Sequence, residues 1–130
     1  MSLSDLPKTW LIDIDGTIFA HNSHLAGEDV LLPGTREFLA TLPPQDRVIL
    51  MTARQETYRV ATEAALSRHG VRYDQIIFGL PVGERILIND DKPSGLKTAY
   101  AVSLPRNRGL GGVATALAGT AAPADYAAIE

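Results

Sequence analysis

Short apolar runs rich in strand-forming residues recur along this chain, and each one stops at a polar or turn-forming residue. Continuous apolar runs of this length are typical of strands in a parallel sheet, which are buried on both faces. The predicted strands are Thr9–Ile14, Arg47–Met51, Gln75–Phe78, Arg85–Ile88 and Tyr100–Leu104. Residues 19–32, which follow the first run, are expected to form a loop or a small hairpin.

Helical periodicity occupies two of the intervals between these strands. The first predicted helix covers Thr35–Leu42, with Thr35 as its N-cap. The second covers Gln55–His69 and is followed by Gly70, the residue type that commonly ends a helix. The residues expected on the buried faces are Phe38, Leu39 and Leu42 in the first helix and Val60, Ala61, Ala64 and Ala65 in the second. Strands that alternate with helices predict an α/β domain with a parallel sheet.

The length of 130 residues suits a single domain with a buried core. We expect residues 1–105 to form a Rossmann-like, three-layer α/β sandwich around a mainly parallel sheet of five strands. Residues 106–130 are rich in glycine and alanine, and this composition predicts a C-terminal tail or arm.

Composition and charge narrow the classes of partner. The chain has no cysteine, which excludes disulfides and thiolate metal sites and fits a cytoplasmic location. The net charge is −3 and no basic stripe occurs, so nucleic-acid binding is not indicated. No apolar stretch approaches the roughly 20 residues that a membrane span needs. Residues 1–10 lack the pattern of a signal peptide.

Acids and a hydroxyl follow three of the predicted strands. Asp13 and Asp15 stand at the end of the first run, Thr52 follows the second, and the fourth is followed by Asn89, Asp90 and Asp91. Because ligands of open parallel sheets bind beyond the carboxyl ends of the strands, we expect these side chains to share one crevice. Carboxylates that crowd together need a cation to neutralise them. Oxygen ligands without histidine or cysteine favour Mg²⁺.

Three of these segments resemble motifs of the haloacid dehalogenase superfamily. Residues 13–17, Asp-Ile-Asp-Gly-Thr, are similar to its first motif, Thr52 in Met-Thr-Ala-Arg to its second, and Asp90 to its acidic fourth. The resemblance spans residues 9–104. The intervals between the motifs leave no room for a folded cap domain, so the chain resembles the capless members. Such an open crevice admits a small or an oligomeric phosphate ester, or a neighbouring copy of the chain closes it in a homo-oligomer.

The resemblance implies a phosphatase that hydrolyses phosphate monoesters with Mg²⁺. Asp13 would attack phosphorus to form an aspartyl-phosphate, while Asp15 would protonate the leaving oxygen and then activate water. Thr52 would hydrogen-bond a phosphoryl oxygen. Mg²⁺ would lie between Asp13, the carbonyl of Asp15 and Asp90, with Asp91 as a supplementary ligand. The residues expected beside the phosphate are Gly16, Thr17, Ala53 and Arg54.

The chain departs from the family pattern at the third motif, a lysine or arginine that pairs with the nucleophile and the phosphate. The corresponding place, Gly79-Leu80-Pro81, offers Leu80, which carries no charge. Lys92 is the nearest substitute and Arg85 a weaker one. Without such a cation the transition state has no fixed positive partner. The alternative function is therefore a binding or regulatory protein of this fold with reduced catalysis.

Two histidines and two arginines outside these motifs each allow two interpretations of their role. His21 and His24 are expected to line the mouth of the crevice, since no further ligand completes a transition-metal set. Arg106 and Arg108 could contact an anionic substrate or be ordinary exposed arginines of the tail.

A phospho-accepting receiver domain also uses acids, a threonine and a lysine. Its acceptor is expected on a middle strand and an acidic pair after the first strand, whereas Asp13 is on the first strand.

Overall fold

A small parallel sheet and three helices form the regular part of the computed structural model, which describes residues 3–118. The strands are β1 (Thr9–Asp13), β2 (Arg47–Met51) and β3 (Gln75–Ile77), hydrogen-bonded in the order β1-β2-β3. The helices are α1 (Thr35–Thr41), α2 (Arg59–Arg68) and α3 (Val113–Ala118). Ile12 lies opposite Leu50 and Leu50 opposite Ile76, and all three are buried. The α/β class with a parallel sheet is thus confirmed.

The chain divides into two compact units. The sheet unit consists of Pro7–Val82 and Leu104–Gly112. The second unit contains, among the described residues, 3–6, 83–103 and 113–118. The division into residues 1–105 and 106–130 stays a prediction, and the end of the predicted tail, residues 119–130, lies outside the described residues. Within residues 3–118, no helix has both the length and the apolar character that crossing a membrane requires.

The predictions of strands at Arg85–Ile88 and Tyr100–Leu104 are wrong, since neither segment is a strand in the structure. Ile86 and Ile88 have 82% and 89% of their surface exposed, although the prediction required this run to be buried. A strand needs backbone partners on a neighbouring strand, and an apolar composition does not supply them. The sheet formed by residues 3–118 therefore has three strands rather than five.

Helix α1 packs its apolar face against the sheet unit largely as predicted. Leu39 is fully buried, and the ring of Phe38 meets Trp10 of β1 edge-on at a centroid distance of 5.6 Å. The predicted N-cap is wrong by one residue. Gly34 precedes the helix with a φ of 74°, and Thr35 is the first helical residue. Glycine adopts this left-handed backbone conformation without the steric cost that a Cβ brings.

Helix α2 follows a short 3-10 turn at Glu56–Tyr58 and ends before Gly70, whose φ of 66° fits the predicted helix-ending glycine. Its buried face differs from the predicted one. The buried residues are Thr62, Ala65 and Leu66, whereas Val60, Ala61 and Ala64 are exposed. On this buried face the Thr62 hydroxyl accepts a hydrogen bond from the buried Arg54 at 2.9 Å. Apolar periodicity contains no information about this polar contact.

A buried carboxylate joins the start of β1 to the turn before β2. Asp46 is 3% exposed, and its two oxygens accept hydrogen bonds from the main-chain N–H of Lys8 and the indole N–H of Trp10, both at 3.0 Å. These bonds align the amino ends of the two strands, at the end of the sheet opposite the candidate site.

Replacing Asp46 with alanine is expected to lower the free energy of unfolding by about 2–3 kcal/mol, because two donors lose a charged acceptor in a buried place. Urea denaturation followed by circular dichroism measures this change. Glu28→Ala is the matched control, since it removes an exposed carboxylate of the same unit. Equal unfolding free energies for the two variants would show that the Asp46 bonds do not form in solution.

Candidate functional site

The residues after β1 form a tight turn that exposes the first predicted motif at the carboxyl end of the sheet. The carbonyl of the buried Ile14 accepts hydrogen bonds from the N–H groups of Thr17, Ile18 and Phe19, at 3.2, 2.9 and 3.0 Å. The N–H of Gly16 donates to the carbonyl of Phe19 at 2.7 Å. We call residues 13–19 the aspartate turn. Its backbone is fixed by its own hydrogen bonds, so the two acids project from a rigid support.

A small hairpin follows the aspartate turn. Phe19 pairs with Leu31 in an antiparallel bridge, and the N–H of Ala20 donates to the carbonyl of Val30 at 2.8 Å. The hairpin places Asp29 in the interior, where it is 8% exposed. The hairpin folds back within the sheet unit. Asp29, which a whole loop separates from Asp13 in the sequence, therefore returns to the same site.

Arg54 binds Asp15 and Asp29 simultaneously. Its Nη2 lies 2.9 Å from Oδ1 of Asp15 and 2.7 Å from Oδ1 of Asp29. Its Nε donates to both oxygens of Asp15, at 3.1 and 3.2 Å, and its Nη1 donates to Oδ2 of Asp29 at 3.0 Å. Only 2% of the arginine side chain is exposed. A planar guanidinium suits such two-sided binding of carboxylates.

The charge of Arg54 is maintained inside the protein by these acids. Burial by itself lowers the pKa of the guanidinium, but the hydrogen bonds from Arg54 to Asp29 and Asp15 outweigh burial and raise the pKa above its usual value. One cation therefore faces two carboxylates in a nearly dry environment. We refer to Arg54, Asp15, Asp29 and Thr62 as the arginine cluster.

Thr52 lies directly after β2 and is completely buried. Its hydroxyl donates to Oδ2 of Asp15 at 3.1 Å and accepts from the N–H of Arg54 at 3.0 Å. A hydroxyl has a single proton. In this arrangement Thr52 positions Asp15, and it can donate to a phosphoryl oxygen only after it releases that carboxylate.

His24 packs beside the same carboxylate. Its Nδ1 lies 3.7 Å from Oδ1 of Asp15 and is buried without a hydrogen-bond partner among the described residues. Its ring meets Tyr58 edge-on at 4.8 Å. Burial, and then the charge of Arg54, lower the pKa of His24, although Asp15 acts in the opposite direction. This histidine therefore favours its neutral form and lies next to a proposed catalytic acid.

Asp13, the predicted nucleophile, ends β1 and is partly exposed. The hydroxyl of Thr17 lies 3.4 Å from its Oδ2. Ala53 is partly exposed between Thr52 and Arg54. The structure thus brings together the predicted residues of the first two motifs in the sheet unit: Asp13, Asp15, Gly16, Thr17, Thr52, Ala53 and Arg54.

The other predicted site residues belong to the second unit, which has its own local structure. They are Arg85, Asp90, Asp91 and Lys92. The N–H of Lys92 donates to the carbonyl of Leu96 at 2.9 Å, and the hydroxyl of Thr98 donates to the carbonyl of Asp90. Both acids of this loop are exposed. Their assignment as metal ligands, and that of Lys92 as the phosphate cation, stay predictions.

Mg²⁺ is compatible with the donors of the aspartate turn. Within residues 3–118 no three side chains of histidine, cysteine, aspartate or glutamate are grouped as a metal site. Mg²⁺ commonly uses only one or two carboxylates and keeps several water ligands. Hard oxygens at a strand end, such as the partly exposed Asp13 carboxylate, fit that requirement.

Asp29 is the site residue that the sequence did not reveal. It stands in Gly-Glu-Asp-Val-Leu-Leu, where an aspartate beside a glutamate is expected on the surface. The only available signal was Arg54, because an arginine directly behind a buried strand end needs acidic partners. That requirement does not identify which of the acids in the chain supplies the second carboxylate.

The fold and this site define an α/β protein with acids at the carboxyl edge of a parallel sheet. No protein-family model matches the chain, and neither does any curated protein. Two solved structures are similar to it. A chain of the Pnkp1/Rnl/Hen1 complex is 27% identical with a TM-score of 0.50, covering 64% of this chain and 31% of that one. A chain of the Pnkp1/Rnl/Hen1 RNA repair complex is 27% identical with a TM-score of 0.49, covering 60% and 27%. This chain therefore spans about a third of the length of the first.

Proposed function

We propose that this protein is a Mg²⁺-dependent phosphohydrolase that cleaves phosphate monoesters through an aspartyl-phosphate on Asp13. The observation that carries the proposal is the arrangement at the end of β1. A partly exposed carboxylate stands on a rigid turn, and two residues further along a second carboxylate is held by Thr52 and Arg54. An exposed nucleophile beside an oriented acid-base group is what a two-step phosphoryl transfer needs.

The reaction follows from these two acids. An oxygen of Asp13 attacks phosphorus and the bond from phosphorus to the ester oxygen breaks. Asp15, which must first take up a proton from solvent, gives that proton to the leaving alcohol. Asp15 then accepts a proton from water as the water oxygen attacks the aspartyl-phosphate, which releases inorganic phosphate and restores Asp13. Arg54 and Thr52 hold Asp15 as an acceptor, the role that it has in the second step.

The proposed metal site contains the Asp13 carboxylate and the main-chain carbonyl of Asp15, with water completing the shell. By the resemblance, Asp90 and Asp91 are further candidate ligands and Lys92 a candidate phosphate cation. Bound Mg²⁺ supplies positive charge that neutralises the phosphoryl oxygens. The cap-free form, a cytoplasmic location and a homo-oligomer remain parts of this proposal.

A second function has a specific observation in its favour. Leu80 occupies the place of the third-motif cation, and the Thr52 hydroxyl is engaged by Asp15. A protein with this arrangement that binds Mg²⁺ and a phosphorylated ligand without turnover would be a binding or regulatory protein.

Removal of the metal separates the two functions. Hydrolysis of a generic aryl phosphate by the full chain in Mg²⁺ is expected to fall at least about 100-fold when a chelator is added, because the metal stabilises the transferred charge. Added Mg²⁺ in excess of the chelator should restore the rate. Release of inorganic phosphate is the measurement, with heat-inactivated protein as the blank.

Hydrolysis that persists in the chelator would contradict the metal dependence. Absence of hydrolysis across a broad panel of phosphate monoesters, with calorimetric binding of Mg²⁺, would instead support the second function. The panel should contain sugar phosphates, phosphopeptides and oligomeric phosphate esters, because an open crevice places no size limit on the substrate.

A further inference from the structure

A segment distant in the sequence lies against the aspartate turn. The main-chain N–H of Asn107 donates to the carbonyl of Gly16 at 2.8 Å. The side-chain Oδ1 of Asn107 accepts from the N–H of His21, also at 2.8 Å. Asn107 adopts a φ of 65°, a left-handed conformation that asparagine tolerates better than most residues. The segment Leu104–Gly112 is therefore attached to the middle of the turn, at Gly16, and to His21 just beyond it.

This attachment brings Arg106 onto Gly16. If Gly16 had a Cβ, that atom would lie 3.2 Å from Cγ of Arg106 and 3.8 Å from its Nε. Gly16 also has a φ of 86°, a left-handed conformation that glycine adopts readily. The absence of a Cβ thus permits both this backbone conformation and the close approach of Arg106. Arg106 is exposed, and its Cγ, Cδ and Nε all lie within 4 Å of that Cβ position.

Two arginines contact the aspartate turn, and they differ in burial and in the partners of their guanidinium groups. Arg54 is buried and donates to Asp15, Asp29 and Thr62, so its donors are occupied. Arg106 lies against Gly16 of the same turn and is exposed to solvent. An exposed guanidinium on the turn that carries the proposed nucleophile can bind two oxygens of a phosphate at once.

We propose that Arg106 binds the phosphate group of the substrate as it docks at Asp13, and so supplies the positive charge that Leu80 does not. The inference rests on the proposed function, since it takes the aspartate turn as the phosphate site. Asn107 is the positioning residue, because its two hydrogen bonds hold Arg106 over Gly16.

The test compares Arg106→Ala and Arg106→Lys with Arg68→Ala in the full chain. Arg68 is an exposed arginine at the end of α2, so its removal makes the same change in net charge without touching the segment that carries Arg106. We measure KM and kcat for the aryl phosphate, and calorimetric binding of inorganic phosphate in Mg²⁺. Arg106→Ala is expected to weaken phosphate binding about 10- to 100-fold, the cost of one or two charge-assisted hydrogen bonds.

Arg68→Ala should leave phosphate binding within about twofold, since an exposed charge that does not bind the phosphate directly is largely screened by salt. Arg106→Lys should recover part of the affinity, which a purely structural role for the arginine would not predict. The affinity of the wild type should also fall as salt is added, and Arg106→Ala should reduce that dependence.

The failures of the inference and of the proposed function give different results. If the wild type hydrolyses the substrate and Arg106→Ala has the same KM and phosphate affinity as the wild type, the role of Arg106 is overturned and the phosphohydrolase is retained. Phosphate binding that depends on Arg106, without hydrolysis of any substrate, supports the role of Arg106 at this turn and overturns the phosphohydrolase. Neither hydrolysis nor phosphate binding by the wild type overturns both.

Discussion

Replacement of Asp13 by asparagine is expected to reduce hydrolysis of phosphate monoesters at least about 1,000-fold, because loss of a nucleophile removes the covalent route altogether. The amide has nearly the shape of the carboxylate, and its oxygen can still accept from the Thr17 hydroxyl, which lies 3.4 Å from Oδ2 of Asp13. The free energy of unfolding should therefore change by less than about 1 kcal/mol, the ordinary scale of a conservative change at a partly exposed position.

Asp46→Ala provides the opposite control for this variant. It should lose stability through its contacts with Lys8 and Trp10, yet keep its kcat at temperatures where it is folded, because these contacts lie at the other end of β1. Steady-state kinetics and urea denaturation of both variants give the comparison. Retention of more than about a tenth of the wild-type rate by Asp13→Asn would identify a different nucleophile, or none.

The largest effect on stability is expected for Arg54→Met. Methionine fills much of the space, but it leaves the carboxylates of Asp15 and Asp29 in the interior without their shared cation. Removing one partner of a buried ion pair typically costs about 3–5 kcal/mol, because the remaining charge is desolvated and uncompensated. We expect a decrease of this size in the free energy of unfolding, measured by urea denaturation, and loss of hydrolysis because Asp15 is no longer oriented.

Two further variants test the cause. Arg68→Met removes an exposed arginine of the same unit and should unfold at nearly the wild-type urea concentration. Arg54→Met combined with Asp29→Asn should recover part of the lost stability, because the second change removes one uncompensated charge. Unchanged stability in Arg54→Met, or further loss in the double variant, would mean that the ion pairs do not exist in solution.

Local sequence patterns are sufficient to predict the strands and helices that depend on residues close in the sequence. The apolar run Arg47–Met51 is β2 with the predicted bounds, and the strands predicted on either side of it in the sheet were each one residue too long. Both helices of the sheet unit were also located. These elements follow from hydrophobic periodicity and turn chemistry, which act over a few residues.

Long-range contacts decided the elements that the sequence misplaced. Arg85–Ile88 has the composition of a strand, but its apolar side chains are exposed, since pairing depends on what lies beside the segment. The buried face of α2 contains Thr62, whose hydroxyl accepts a hydrogen bond from Arg54. Neither fact follows from the identity of the residues within the segment.

The sequence alone determined that the chain has an α/β fold and that Asp13, Asp15, Thr52 and Arg54 stand at strand ends, because strand periodicity and the turn after β1 are local properties. The tertiary structure alone decided how these side chains pair. Asp29 enters the site through a hairpin, and Arg106 reaches Gly16 through a segment that is remote in the sequence. Such contacts arise only when the folded backbone brings distant residues within hydrogen-bonding or van der Waals range, a condition that no local pattern encodes.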